Sequence, residues 1–528
     1  MRTTPLLWLC SLLLASPLFA DELVTKDGRH LTIKKARKLE DGNFELTFEH
    51  GQIICAAEFV ESVQIEGDMA DYVPKNERER ENLAKGYVRH KGKWMSKNSY
   101  KTLLKKEAEA NRKRLAELEA HSAFRNGYEL ETRHFTFKSN TNPELLQYYA
   151  DLLEAYYKLM DDRVGIKPTP TLKRTKMQVN IYKSLVDWED QTNMAPGVIG
   201  FFSSSAQTLN FFHKADDPGM TDWVALHEAT HLLTYLIQPT FRPRIWVNEG
   251  VADFFGSATI QWNKKGKLEI IPGKMQVDRM LTVKDAIKTG ENMSLEELFN
   301  VEKSEFHSFE YAHAWSFVYF LNNNKNYVKL FKKFFKDFYT LTSKVKFEWQ
   351  GPTRVVSGPE TRRLLLASLR VKDVAKLEEE WLTYITGIEI DAPDALFRRG
   401  LKVVQRGEQE QYDQAREDLN SALEGGVQDP RLYWALGDLE TERMVDLKKA
   451  LKLLRQAIEL SPFDPRFRQS LGLALIRGGG RRKDHDPQVE GLASLGLAGE
   501  LAPDNEYYQE FYADVRRQLE EIEAKRAK

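Results

Sequence analysis

Apolar and polar residues alternate with period two from residue 22 to 66, between turn signals at Asp27-Gly28, Asp41-Gly42 and His50-Gly51, which predicts about five short strands. A charged stretch follows, broken by Gly86-Tyr87 and Gly92-Lys93-Trp94; its later part, Leu103 to Leu118, has helical period and alternating charge. From Glu131 the pattern is mixed. It predicts a strand at His134 to Lys138, an amphipathic helix over Pro143 to Met160, and a strand at Met177 to Tyr182. A strand pair follows at Gly197 to Phe202 and Gln207 to Phe212, then a helix from about Thr221 to Ile237. Beyond Phe255 the periodicity is helical, notably at Ser308 to Leu321 and Val328 to Phe338. After residue 390 small, large and small residues recur at spacings of four and three before a proline: Ala415, Leu419 and Ala422 before Pro430, then Ala450, Leu454 and Ala457 before Pro462. Gly491, Leu495 and Ala498 before Pro503 repeat the pattern, after an insertion around Gly478 to Asp486, and Gly437 and Gly472 occupy similar places.

These periods divide an α+β multidomain chain. Residues 21–68 suit a small SH3-like barrel or curled sheet, 69–128 a charged linker whose helix presents a solvated face rather than a basic docking surface, and 129–390 a mixed α/β domain. Residues 391–528 resemble tetratricopeptide repeats, capped by a charged helix over Glu506 to Lys525; such arrays commonly bind protein partners. Residues 1–20 read as a secretory signal, with Arg2, an apolar run from Leu6 to Ala15 and Ala20 before Asp21-Glu22. The run is too short for a permanent membrane helix, so a secreted or periplasmic protein without an integral membrane segment is expected. After cleavage one cysteine remains, Cys55, which excludes an internal disulfide. The 77 basic and 78 acidic residues provide no field to attract nucleic acid or an anionic membrane.

The chemistry is concentrated in two segments, His227-Glu228-Ala229-Thr230-His231 and Trp246-Val247-Asn248-Glu249-Gly250-Val251-Ala252-Asp253. Residues four apart share a helix face, so His227 and His231 can grip one metal ion while Glu228 turns toward a water on it. A catalytic zinc usually takes three protein ligands, and Glu249, on a second helical segment, completes a His-His-Glu set for one Zn²⁺. Asp253 falls one turn after Glu249 and could accept the free N–H of a ligand histidine. The plainer reading, two histidines on a packed face, leaves an apparently buried glutamate beside them without a purpose.

This set resembles the gluzincin metallopeptidases, and more closely the peptidase-MA-like domains of exported bacterial proteins, over roughly residues 130 to 390. Thr234 and Ile237 stand where a metzincin would place its third histidine region. The resemblance implies a twisted sheet above the metal helix, with His227, His231 and Glu249 as zinc ligands, Glu228 as general base and Asp253 holding a histidine. It also implies a peptide-pairing edge strand, for which Gln207 to Phe212 is the candidate, and an oxyanion donor from the lower half, with Tyr311 ahead of His313. No Gly-x-Met-Glu-Asn segment precedes His227, which favours an endopeptidase acting on a peptide or protein substrate, with the repeats docking a protein partner. The alternative is an inactive scaffold of the same fold that binds proteins through its repeats. His134 and His213 read as structural or surface histidines.

Overall fold

Strand β1 (Asp21–Thr25) pairs antiparallel with β2 (His30–Ile33) and β6 (Val60–Val63), while β3 (Lys35–Lys38), β4 (Phe44–Thr47) and β5 (Gln52–Cys55) form a second sheet. The computed structural model describes residues 21–526 apart from 40, 64–73, 91–92, 167–175, 196, 216, 340–344, 352, 444–445 and 483–484. The signal expected at 1–20 and the boundary placed at 68/69 therefore lie outside the described residues. Six strands replace the expected five, and no ladder joins the two sheets into a barrel among the described residues. The reason lies in what covers the apolar faces. Leu23, Leu31, Leu46 and Ile53 share a core with Phe463, Leu497 and Leu501 from the far end of the chain, so the sheets need not close on themselves. Polar contacts lock this junction: the Glu500 carboxylate accepts from the backbone N–H groups of Glu49 (2.7 Å) and His50 (2.9 Å). Cys55 is buried in this unit, where burial pushes its thiol up to about 12 and removes the thiolate that would make it reactive.

The charged stretch contains α1 (Glu77–Ala84), a hairpin of β7 (Tyr87–His90) and β8 (Lys93–Ser96), and the 24-residue α2 (Lys97–Ala120). Helix α2 is exposed along most of its length, as its alternating charge predicts, yet it buries Tyr100 and Leu118, and its Arg114 bridges Glu61 (2.8 Å) and Glu144 (2.6 Å). It is a strut between units rather than a free linker.

The central domain carries β9 (Tyr128–Glu131), β10 (Phe135–Ser139), α3 (Pro143–Val164), β11 (Met177–Tyr182), α4 (Leu185–Thr192), β12 (Gly200–Ser203) and β13 (Thr208–Phe212). The sheet order is β12-β13-β11-β10-β9, with β10, β11 and β13 parallel and the two outer strands antiparallel. The strand expected at the edge, Gln207 to Phe212, is thus internal. Strand β12 occupies the edge, because the tight Ser203–Gln207 connection folds it back antiparallel against β13. Alternate residues Phe135, Phe137, Val179, Ile181, Leu209 and Phe211 project into one core with α3 and α5 (Pro218–Ile237). Pro218 opens α5 where a missing N–H costs nothing, and apolar residues then surround its axis, so this helix is buried on nearly every side.

Next come α6 (Ile245–Gly256), the hairpin β14 (Ala258–Trp262) and β15 (Leu268–Pro272), and helices α7 (Val277–Thr289), α8 (Leu295–Asn300), α9 (Ser308–Asn323) and α10 (Val328–Phe338). A further hairpin, β16 (Phe347–Gln350) and β17 (Thr353–Val356), precedes α11 (Gly358–Leu369) and α12 (Val374–Thr386). Helices α6 and α9 touch at Gly250, where an added Cβ would lie 2.7 Å from the Ala314 carbonyl oxygen. Gly250→Ala is therefore expected to force these helices apart and lower stability by about 1–3 kcal/mol, read as a lower denaturant midpoint. Because Glu249 is its neighbour, weaker metal retention should accompany the loss.

The C-terminal region consists of helices α13 (Pro393–Arg406), α14 (Tyr412–Glu424), α15 (Pro430–Arg443), α16 (Leu447–Leu460), α17 (Pro465–Arg482), α18 (His485–Leu501) and α19 (Glu506–Arg526). They associate as three consecutive antiparallel pairs with α19 at the end, consistent with repeats. Gly437 and Gly472 mark close helix crossings, as their spacing suggested; Gly400 does the same in the first pair, packed on Leu419, and the sequence reading did not single it out. The insertion at 478–486 lengthens α17 rather than forming a loop up to Arg482.

Candidate metal centre

Helix α5 places His227, Glu228 and His231 on consecutive turns, and α6 crosses it to bring Glu249 and Asp253 to the same point. Three donor atoms converge. His227 Nε2 lies 3.2 Å from His231 Nε2 and 3.4 Å from Glu249 Oε2, and His231 Nε2 lies 3.5 Å from that oxygen. A tetrahedral cation with bonds of ~2.0–2.1 Å needs ligand atoms about 3.3–3.4 Å apart, so this near-equilateral triangle fits one. Two imidazole nitrogens and a carboxylate, with no thiolate, suit zinc and would also accept copper or nickel. Among the described residues this is the one group of three or more metal-ligating side chains so placed.

Two of the three, His227 and Glu249, are held from behind. His227 Nδ1 sits 3.0 Å from Asp253 Oδ1, and the second oxygen of this fully buried carboxylate pairs with Arg279 of α7 at 2.8 Å. Gln276 donates to the Asp253 carbonyl. Asn248 donates to Glu249 Oε1 (3.0 Å) and the Tyr311 hydroxyl to Glu249 Oε2 (3.1 Å), fixing both oxygens. Glu228 points to the edge strand, where its Oε2 accepts the backbone N–H of Phe202 at 2.9 Å.

The sequence thus brings together all six of its site residues, His227, Glu228, His231, Glu249, Asp253 and Tyr311. His313 does not join them: it is buried away from the centre, with Nδ1 against the Phe309 carbonyl and Nε2 accepting from Met293 N–H. Position i+2 from Tyr311 lies on another side of α9, which explains the difference. His134 pairs with Glu154 and stacks on Tyr157, and His213 is buried against the Tyr149 hydroxyl, so both are structural. Arg279 and Phe202 N–H went unread. An arginine on an amphipathic helix 26 residues past its partner looks like a solvated charge, and a backbone N–H has no sequence signature; Asn248, adjacent to Glu249, was the one signal at hand.

The electrostatics follow from burial and proximity. Burial lowers the basicity of His227, but Asp253 and Glu249 outweigh it and raise the imidazole to about 10. Burial raises Glu249, yet His231 and His227 hold it well below the usual carboxylate range. Glu228 is raised, chiefly by burial, against the pull of the two histidines. In the metal-free protein a proton on His227 therefore stands in for the cation. Metal uptake must expel it, so affinity should rise about tenfold per pH unit between roughly pH 7 and 9, with about one proton released per ion. Chelator competition at several pH values measures this, and a flat profile would mean that the ring is already neutral.

Residues 224–343, from one turn before His227 to just past α10, match a family described as "Protein of unknown function (DUF1570)". The match holds every residue of the centre except Phe202, and leaves out the sheet and the repeats. No curated protein matches the chain.

Proposed function

We propose that the chain is a zinc-dependent metallopeptidase of gluzincin type, exported and acting within peptide chains. The observation that carries this reading is Glu228: a half-buried carboxylate whose basicity is raised, beside three side chains that could hold one ion and tied to the edge strand. A scaffold has no use for that group. His227, His231 and Glu249 would hold the ion, which when bound polarises a carbonyl and acidifies a water. Glu228 would accept a proton and pass it to the leaving nitrogen, a task suited to a carboxylate whose basicity its surroundings raise. Phe202 N–H keeps one Glu228 oxygen in place, leaving the other free for the proton. Strand β12 presents the free sheet edge beside it, to which an extended peptide can add as a further strand. Tyr311, whose hydroxyl burial keeps protonated far above neutral pH, can leave Glu249 to donate to the developing oxyanion. The repeats would dock a partner or substrate protein. No helix among the described residues is long and apolar enough to cross a membrane.

The test is metal content together with hydrolysis of an unstructured protein such as casein. One zinc per chain, with cleavage lost on chelation and restored by zinc, is the expected result. Failure to retain zinc after incubation would sink the reading and favour the binding scaffold.

A further inference from the structure

Tyr235 lies four residues past His231 on α5, so it shares the helix face that His231 presents to the metal centre, about 6 Å further along the axis. Its ring meets that of Phe202 on the edge strand, 5.5 Å between centroids, and Phe202 is the residue whose N–H holds Glu228. The Arg242 guanidinium lies over the same Tyr235 ring at 4.5 Å. Edge strand, metal helix and Arg242 are thus joined beside the edge to which a peptide would add.

Arg242 belongs to the connection between α5 and α6, and its backbone is pinned. Its N–H donates to the Arg354 carbonyl of β17 (2.8 Å), and its carbonyl accepts from Val356 N–H (3.0 Å). In the side chain, Nη1 reaches the Phe241 carbonyl at 3.3 Å and, more weakly, that of Gln238 at 3.5 Å. Nε and Nη2 have no acceptor among the described residues, yet neither is fully buried, so this edge of the guanidinium opens to solvent.

The charge is not matched from within the protein. Burial lowers the basicity of Arg242, Tyr235 and Tyr339 alone act back on it, and no carboxylate does. Residues 232–244 and 339–347 contain no acid, nor does the strand pair at 197–212. Glu348, the one acid of the β16–β17 hairpin, is turned to Arg244 at 3.2 Å. Packing of its stem on a ring would by itself explain a surface arginine. It does not explain why every neighbouring segment lacks an acid while the fork is held in advance. An arginine cannot shed its charge, and its Nε–Nη2 edge matches the two oxygens of a carboxylate. The path from His231 to Tyr235 and across its ring, roughly 10 Å, equals about three residues of extended chain.

We propose that Arg242 is a specificity residue of the cleft, taking through Nε and Nη2 a carboxylate of the bound peptide, either an acidic side chain or the C-terminus, a few residues from the reacting carbonyl. That this peptide is a substrate rests on the peptidase reading above.

The test uses the full chain carrying zinc and Glu228→Gln, so that binding is read without cleavage. Three fluorescent peptides of one unstructured host sequence are compared by anisotropy at low and moderate salt: one with an interior glutamate and an amidated end, one with glutamine there and an amidated end, and the glutamine peptide with a free C-terminal carboxylate. At least one carboxylate peptide is expected to bind about tenfold more tightly than the neutral one, with the preference shrinking as salt rises. Which of the two gains tells a side-chain carboxylate from a C-terminal one. Arg242→Gln should erase the preference while zinc content and melting temperature hold. Arg242→Lys, which keeps the charge and loses the fork, should keep only a minor part of it, and decides the matter if the glutamine variant misfolds. Equal affinity for the three peptides, binding of none, or a preference that survives substitution of Arg242 overturns the proposal. Hydrolysis is measured separately on the unsubstituted protein with the same peptides: a lack of cleavage there counts against the peptidase reading and leaves the binding result to stand.

Discussion

Glu228→Gln is expected to keep one zinc per chain and to lose hydrolysis by about 10²–10⁴-fold, the range a positioned proton-transfer group contributes. The substitution is nearly isosteric, and the amide oxygen can still accept Phe202 N–H, so the edge strand and helix α5 should not move. What disappears is the ability to take a proton and give it back. The three donor atoms do not include Glu228, so metal content should be unchanged. The informative readout is the pair of measurements together. Loss of activity with full metal assigns Glu228 to the chemistry, loss of both would make it a structural support of the site, and full activity would remove it from the mechanism.

The largest effect on stability is expected from Asp253→Ala. Asp253 is fully buried and lies between His227 and Arg279, so truncation strips the orienting contact from one side and leaves a largely buried guanidinium unpaired on the other. Breaking a buried pair in this way costs about 3–5 kcal/mol, and loss of the group behind a ligand histidine about 10–100-fold in metal affinity. Asp253→Asn keeps the shape but can satisfy only one neighbour as an acceptor, turning its NH₂ toward the other, so an intermediate effect is expected. Adding Arg279→Leu to Asp253→Ala should recover part of the stability without recovering metal affinity, because it removes the orphaned charge and not the missing contact to His227. Denaturant melts and chelator competition on the three variants separate the two consequences. If the second substitution restores nothing, the energetic account of this pair is wrong.

The candidate ligand set was legible from sequence in so far as each of its halves depends on local periodicity. Four residues make one helical turn, so His227 and His231 must share a face wherever the helix lies, and the same holds for Glu249 and Asp253. Helix lengths, the repeat spacing and the strands from Met177 onward follow from the same rule, since amphipathic period reflects burial that any packing of that element must provide. Tyr311 was readable as a candidate and not as a contact, because its distance to Glu249 depends on how α6 meets α9 at Gly250.

Other features belong to the tertiary structure alone. Which strand takes the sheet edge is a matter of ladder order: the period-two pattern of residues 197–212 is the same whether β12 or β13 lies outermost, and only the backbone pairing puts Phe202 N–H against Glu228. Arg279 acquires its place from the packing of α7 on α9, far along the chain from Asp253. The N-terminal sheets stay open because Phe463, Leu497 and Leu501 cover them, an association more than 400 residues long in sequence that leaves no mark in local alternation. The chain's periodicity determined which side chains could act together within one helix. Their charges, partners and access to an edge strand were decided when separate elements closed on one another, because Coulomb and hydrogen-bond energies depend on distance in space and not on separation along the chain.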